Sequence, residues 1–215
     1  MKKMKVSIAV IKRLPKYYRY LGMIEEKGII RISSQELSSI TGLTASQIRQ
    51  DLNHFGGFGQ QGYGYNVKEL KNEIEKIIGI KEEYSAILIG AGNLGHAIVN
   101  YEGFKNNGFN IVAVFDTKNE LIGKKLAGVP VYSIDKLEAF IEKNNVTIGV
   151  LTLPKNFAQQ IADRLVHAGV KGLWNFAPID LVLPDEIVLE DVHLDESLYT
   201  LTYYLNNPGD YPGNH

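Results

Sequence analysis

The chain has 215 residues, 45% of them hydrophobic and 22% charged, with a formal charge of −1 and no cysteine. That size allows one domain or two small ones with a real core, and the lack of cysteine excludes disulfides, thiolate metal sites and thiol nucleophiles, so any redox role must run through a bound cofactor. The near-neutral balance hides an asymmetry: residues 1–80 hold 13 Lys+Arg against 7 Asp+Glu, or +6, while residues 81–215 hold 10 against 17, or −7.

A basic first third on an acidic remainder points to two domains with different partners, the first facing a polyanion. The basic N-terminus has only a short apolar stretch and no small-residue cleavage pattern, and no apolar run approaches the ~20 residues of a membrane span. The expected address is the cytoplasm, with no membrane attachment. Helical spacing starts over 7–11, and Pro15 sets the start of a second helix through Tyr17, Tyr18, Tyr20, Leu21 and Ile24. Ser33 and Glu36 have capping-box spacing before Leu37 and Ile40, and Gly42 stops that helix. Thr44 and Gln47 repeat the spacing and open a helix through Ile48, Leu52 and Phe55, ended by Gly56-Gly57. Two short helices around a three-residue turn with a glycine have helix-turn-helix spacing. The stretch 58–65 alternates glycines and aromatics about a turn, which suggests a hairpin wing. A helix over 67–78 and a linker over 79–83 follow.

Beyond the linker, strands alternate with helices, which favours a parallel sheet. Strands are expected at 85–89, 111–115, near 129–131, and at 147–153, 170–176 and 186–189. Helices are expected at 93–104, from a Ser133 cap to 144, at 156–168, and from 195 through Tyr203, Tyr204 and Leu205. The tail from Pro208 is expected to fray. The expected class is α/β: a winged helix-turn-helix domain (1–80), a Rossmann dinucleotide-binding domain (81–192), a terminal helix (193–207) and a flexible tail (208–215).

Gly90-Ala91-Gly92-Asn93-Leu94-Gly95 fits G-x-G-x-x-G, follows a buried strand and opens a helix. A second strand ends at Asp116, 21 residues past Gly95. In that context Gly90 permits the tight turn, Gly92 lets the backbone approach a pyrophosphate, and Gly95 lets the helix pack on the strand. The helix N-terminus offers N–H groups to the phosphates. Asp116 would accept from ribose hydroxyls and repel a 2′-phosphate, which favours NAD(H) over NADP(H). The alternative is a glycine-tightened turn with no ligand.

After about Asp191 too little chain remains for a substrate domain. None of His54, His96, His167, His193 and His215 forms an evident proton relay with a carboxylate. The nucleotide is therefore read as a ligand, not a co-substrate, and no catalytic or metal-ligating residue is assigned. Gln47, Arg49, Gln50 and His54 lie on the outer face of the second short helix, where such side chains read base edges or phosphates. Lys12, Arg13, Lys16 and Arg19 could clasp the DNA backbone. A solvated helix pair in a small all-α domain is the bland alternative.

Over about 11–205 the sequence resembles the Rex family of redox-sensing transcriptional repressors. The resemblance rests on Lys12-Arg13-Leu14-Pro15-Lys16-Tyr17-Tyr18-Arg19, Ser46-Gln47-Ile48-Arg49-Gln50-Asp51-Leu52 and Gly62-Tyr63-Gly64-Tyr65-Asn66-Val67. It also rests on the glycine motif, Gly169-Val170-Lys171-Gly172-Leu173-Trp174-Asn175-Phe176-Ala177-Pro178 and the terminal Tyr-Tyr-Leu helix. It implies a homodimer on a pseudo-palindromic operator, released when NADH replaces NAD+, with the last helix crossing to the partner's Rossmann domain. It places Tyr101 on the nicotinamide side. Further nucleotide contacts map to Thr117 and Lys118 beside Asp116, to Thr152, Leu153 and Pro154, and to Asn175, Phe176, Ala177 and Pro178. The DNA-facing set gains Ser34, Thr44, Ala45, Ser46, Gln60, Gln61 and Tyr63.

Two positions depart from the family pattern. Gln60-Gln61 stand where family wings commonly carry basic residues, so the wing should release fewer counterions. His193 stands where relatives often have Asp, either as an ionisable replacement in a switch or as an inert strand-end residue. The rival readings are a small NAD-dependent oxidoreductase with a helical appendage, and a CoA- or nucleotide-binding module acting through protein contacts.

Overall fold

The computed structural model describes residues 6–55, 59–60, 63–80 and 82–211, with the backbone alone for Gly59, Gln60 and Asn106. The chain divides into two compact units: one up to Lys81 together with the residues from Asp210, the other Glu82–Gly209.

The first unit is built on α1 (Ile8–Glu26), opened by Ser7, whose hydroxyl accepts from the Val10 N–H. Pro15 lies inside this helix and does not start a second one. Val10, Leu14, Tyr17, Leu21 and Ile24 form one buried stripe that runs unbroken past the proline. Packing of that stripe outweighs the proline's cost. Pro15 and Ile11 are both exposed, so the Ile11 carbonyl that loses its helical donor has access to water.

A short strand β1 (Arg31–Ile32) leads to α2 (Ser34–Thr41). Its capping box is complete: the Ser33 hydroxyl accepts from the Glu36 N–H at 3.1 Å, and the Ser33 N–H donates to the Glu36 carboxylate at 2.7 Å. Gly42 ends the helix in left-handed backbone, at φ 67°. Helix α3 (Ala45–Asn53) is opened by Thr44, which accepts from the Gln47 N–H. Gly56 and Gly57, expected to end it, lie outside the described residues. β2 (Gly59–Gln60) and β3 (Gly64–Asn66) pair antiparallel as the wing, and β1 adds to the other edge of β3. Only glycine fits at 64: φ is +69°, and a Cβ would lie 2.6 Å from the Ile32 carbonyl oxygen. Helix α4 (Val67–Ile78), capped by Asn66 and Gly79, matches the expected span. Leu14, Tyr17, Leu21, Leu37, Ile48, Leu52 and Ile74 lie at the centre of this unit's core.

The second unit is a doubly wound α/β fold. In chain order it contains β4 (Tyr84–Ile89), α5 (Asn93–Val99), β5 (Phe109–Asp116), β6 (Lys125–Leu126), β7 (Val129–Ser133) and α6 (Leu137–Asn144). There follow β8 (Ile148–Leu151), α7 (Lys155–His167), β9 (Gly172–Asn175), β10 (Val188–Asp191) and α8 (Leu194–Asn206). The sheet order is β10-β9-β8-β4-β5-β7-β6, parallel throughout except for β6 against β7. Ile87, Leu88, Ala113, Val114, Phe115, Val150 and Leu151 are buried, as strands covered on both faces require.

Several boundaries differ from expectation. Helix α5 ends at Val99 rather than 104: the Asn100 side chain donates to the His96 carbonyl at 2.7 Å, and Gly103 turns tightly under Tyr101. Ser133 caps a 3-10 turn over Ile134–Lys136, and α6 begins only at Leu137. The last strand sits at 188–191, in parallel register with β9. Pro208–Asp210 forms a 3-10 turn at the start of the tail. No residue of α8 is buried, and Leu194, Leu198, Leu201 and Leu205 are all exposed.

Candidate functional site

In the second unit the chain runs from β4 to β5 on one side and later returns to β8 on the other, so a crevice opens beyond the carboxyl ends of β4 and β8. The loops after β4, β5 and β8 meet there around a cavity of about 480 Å³. Gly90, Gly92, Asp116, Thr117, Lys118, Thr152, Leu153 and Pro154, all named from sequence as nucleotide contacts, line it.

The three motif glycines are glycine for different reasons. Gly90 has φ +102°, and a Cβ would lie 2.4 Å from the Thr152 carbonyl oxygen. A Cβ on Gly95 would lie 2.1 Å from the Gly90 carbonyl oxygen. Both serve the fold. At Gly92 the backbone is extended and a Cβ would meet nothing within 4 Å. Neither sterics nor backbone requires glycine there, and the space above it is open for a close-approaching group. α5 begins at that point without a side-chain cap. The residues present therefore fit a dinucleotide's pyrophosphate.

Asp116 is half-buried at the end of β5, and its two oxygens accept from backbone: from the Ala91 N–H at 2.6 Å and the Lys118 N–H at 2.8 Å. This bond ties the glycine loop to the acidic residue of the second strand. Thr152 braces the loop from β8, its hydroxyl lying 2.8 Å from the Gly90 carbonyl and 3.1 Å from that of Ile89. Asn93 and Leu94 sit in the first turn of α5, beside the cavity lining.

Sequence reasoning missed Phe115, Ile134, Phe157, Gln160, Ile161 and Arg164 in the cavity wall. Arg164 fixes Ile134: its guanidinium clasps Glu138 at 2.6 and 2.9 Å and donates to the Ile134 carbonyl at 2.9 Å. The Arg164 hydrogen bond holds the Glu138 carboxyl below its usual range. The adjacency of Phe115 to Asp116, and the proximity of Phe157 and Gln160 to the Thr152-Leu153-Pro154 turn, are the sequence signals that could have flagged these.

A second group of expected residues lies outside that cavity. Tyr101, 61% exposed, meets Phe104 edge-on (centroids 4.7 Å apart), Phe104 meets Trp174 at 5.3 Å, and Trp174 meets Phe176 at 4.6 Å. This aromatic chain links the end of α5 to the loop after β9. Asn175, expected among the nucleotide contacts, has its side chain engaged within its own unit. It is fully buried, and its amide donates to Ala177, Ile179 and Asp191 while accepting from the Ala177 N–H. Those bonds occupy the amide and shape the loop that carries Phe176, buried Ala177 and exposed Pro178. His193 lies 3.7 Å from Asp180.

In the first unit, Ile48, Asp51 and Leu52 face the core, leaving Ser46, Arg49, Gln50 and His54 exposed and Ala45 and Gln47 half-buried. Arg49 is held by a 2.8 Å hydrogen bond to Ser34 at the start of α2. Lys12 and Arg19 are exposed and Lys16 half-buried on α1, with Arg19 over the Tyr20 ring. Tyr63 is 70% exposed at the wing. Arg31, which sequence reasoning overlooked, donates to the Tyr63 carbonyl at 3.3 Å. Its only signal was a lone basic residue just before the capping box. Gln61 lies outside the described residues, as does the side chain of Gln60.

Arg13, expected from sequence to clasp DNA phosphate, has its guanidinium engaged within the first unit. It makes two short bonds, 2.6 and 2.7 Å, to Asp51, which also accepts from the Tyr17 hydroxyl at 2.7 Å. Burial alone would raise the Asp51 pKa, but the Arg13 and Tyr17 hydrogen bonds outweigh it and hold the carboxyl below its usual value. Burial and the bond to Asp51 push the Tyr17 hydroxyl well above its ordinary value.

Among the described residues no cluster could hold a metal ion, and no helix is long and apolar enough to cross a membrane. A winged helix-turn-helix joined to a doubly wound dinucleotide fold defines the class of nucleotide-responsive DNA-binding regulators. Residues 5–53 match the family model "Putative DNA-binding protein N-terminus", and residues 81–179 match the CoA binding domain model. The chain is 57% identical over 205 residues to the redox-sensing transcriptional repressor Rex of Thermoanaerobacter pseudethanolicus, covering 95% of this chain and 92% of that one. It is 58% identical over 200 residues to Rex of Clostridioides difficile, covering 93% and 95%. The crystal structure of RSP with beta-NAD+ and operator DNA matches with a TM-score of 0.91 at 54% identity, over 96% of this chain and 95% of that one. RSP with beta-NADH matches at 0.89 and 51%, over 96% and 97%. The chain belongs to the Rex family of redox-sensing transcriptional repressors.

Proposed function

We propose that this protein represses transcription by binding operator DNA through α3 and the wing, and that NADH releases it where NAD+ does not. The observation that carries the reading is the open space over Gly92 with Asp116 bonded across the same loop. It is a cradle for pyrophosphate with a ribose acceptor at its edge. Gly90, Gly95 and Thr152 hold the cradle. Asp116 orients the ribose, and Thr117, Lys118, Leu153, Pro154 and Ile134 enclose the adenosine end. Tyr101 and the loop shaped by Asn175 flank the nicotinamide end. Bound NAD(H) supplies a ring that is a flat cation when oxidised and neutral when reduced. The sites of RSP, occupied by beta-NAD+ with operator DNA and by beta-NADH in a second structure, support this assignment.

The working form is a homodimer in the cytoplasm, where the operator is. The leucine face of α8, exposed along Leu194, Leu198, Leu201 and Leu205, supports dimerisation through that helix. Two such units read two half-sites, and only one interdomain geometry sets them one DNA turn apart. NADH must favour the other geometry more strongly than NAD+ does, because equal affinity for both states shifts nothing. Gel shifts on the operator duplex of RSP, with NAD+ or NADH added, test the reading. Retention with NAD+ and release with NADH is the expected result. Equal retention with both would exclude redox sensing, and no shift at all would exclude DNA binding.

A further inference from the structure

Arg13 was expected from sequence to clasp a phosphate, yet its guanidinium is turned inward. Its Nε and Nη2 each donate to one oxygen of Asp51, at 2.6 and 2.7 Å. The Asp51 side chain is 3% exposed, and Asp51 sits on the inner face of α3 between Ile48 and Leu52. Tyr17, one turn along α1 from Arg13 and fully buried, donates its hydroxyl to the same carboxylate at 2.7 Å. A carboxylate sunk in an apolar core is tolerated only where donors satisfy it, and these two come from a single helix. The planar fork of arginine engages both oxygens at once, which fixes rotation as well as distance.

From this geometry, and resting on the DNA-binding reading above, we infer that Arg13 and Tyr17 are positioning residues. Through Asp51 they lock α3 to α1 and set the angle at which Arg49 and Gln50 are presented to base edges. On the outer side, the Ser34 bond to Arg49 completes the alignment. Arg13 itself touches no DNA. The recognition helix thus moves as one body with α1, and a displacement of α1 is passed to the reading side chains undamped.

The test uses the full-length protein with two substitutions, Arg13→Lys and Tyr17→Phe. Affinity is measured by fluorescence anisotropy for the RSP operator duplex and for a scrambled duplex, across a salt series, with circular dichroism as the folding control. A lysine keeps a charge for phosphate but cannot bridge both oxygens of Asp51. Arg13→Lys is expected to lower operator affinity about tenfold or more while the scrambled-duplex affinity and the salt slope stay as in the wild type. Tyr17→Phe should act in the same direction, by about threefold, from the loss of one hydrogen bond. The inference is overturned if Arg13→Lys binds the operator like wild type. It is also overturned if Arg13→Lys weakens the operator and the scrambled duplex by the same factor, because the anchor would then set no alignment of the base-reading side chains. Should Arg13→Lys fail to fold, Tyr17→Phe decides: an unchanged operator-to-scrambled ratio overturns the inference. A wild-type protein that does not distinguish the two duplexes would refute the DNA-binding reading itself.

Discussion

Asp51 and Asp116 are both aspartates at the working ends of their units, and they are held in opposite ways. Asp51 is sunk in the helical core and bound by a guanidinium and a buried hydroxyl. Asp116 is half-buried at a strand end and bound by two neutral backbone N–H groups. A charge buried against a charge resists exchange, whereas a carboxylate on neutral donors can rearrange for a competing polyol. The DNA-reading unit is built to keep its shape, and the nucleotide unit to trade partners.

Breaking the buried anchor should have the largest effect. Asp51→Asn removes the charge opposite Arg13 and should destabilise the first unit by about 3–5 kcal/mol, read by urea denaturation at neutral pH. The pH dependence has a definite sign. Because the native carboxyl is held below its ordinary value, its contribution is fully present above the ordinary carboxylate range. It is lost as the pH falls through the depressed native value, so the acid limb of the wild-type stability curve should flatten in Asp51→Asn.

Next in size is the loss of a reading side chain. Arg49→Ala should cost about 100-fold in operator affinity, as expected for losing an arginine contact to a base edge. NADH titration of the same variant should be unchanged, and loss of both activities would mean misfolding instead. On the other side of the comparison, Asp116→Ala should weaken NADH by about tenfold and narrow the preference over NADPH. Unchanged selectivity in fluorescence titrations would remove Asp116 from the site.

The smallest effect separates ligand space from fold space. Gly92→Ala should lower NADH affinity by about fivefold with an unaltered melting temperature, since the added methyl meets only the ligand. Gly95→Ala should instead lower the melting temperature, because its Cβ would collide with the Gly90 carbonyl.

Much of the fold was legible because its signals are local. The capping serine and glutamate, the left-handed Gly42 and Gly79, and the buried strand runs each act through neighbours in sequence. The glycine motif and Asp116 were legible for the same reason. What escaped were long-range effects. Pro15 reads as a helix start, yet the α1 stripe packed on the core carries the helix through it. Arg13 reads as a surface cation and Asn175 as a ligand contact, and nothing nearby in sequence reveals that each is bonded to a carboxylate far along the chain, Asp51 and Asp191. The cavity wall from Ile134, Phe157 and Arg164 likewise arises only when α6 and α7 flank the sheet.

The contrast between a fixed reader and an exchangeable sensor matters only if the two sites are coupled. The direct measurement is NADH affinity with and without saturating operator duplex. Linkage requires the duplex to weaken NADH by the same factor by which NADH weakens the duplex. Matching factors well above one are the expected result. Equal NADH dissociation constants in the presence and absence of operator would contradict redox control of DNA binding by this protein.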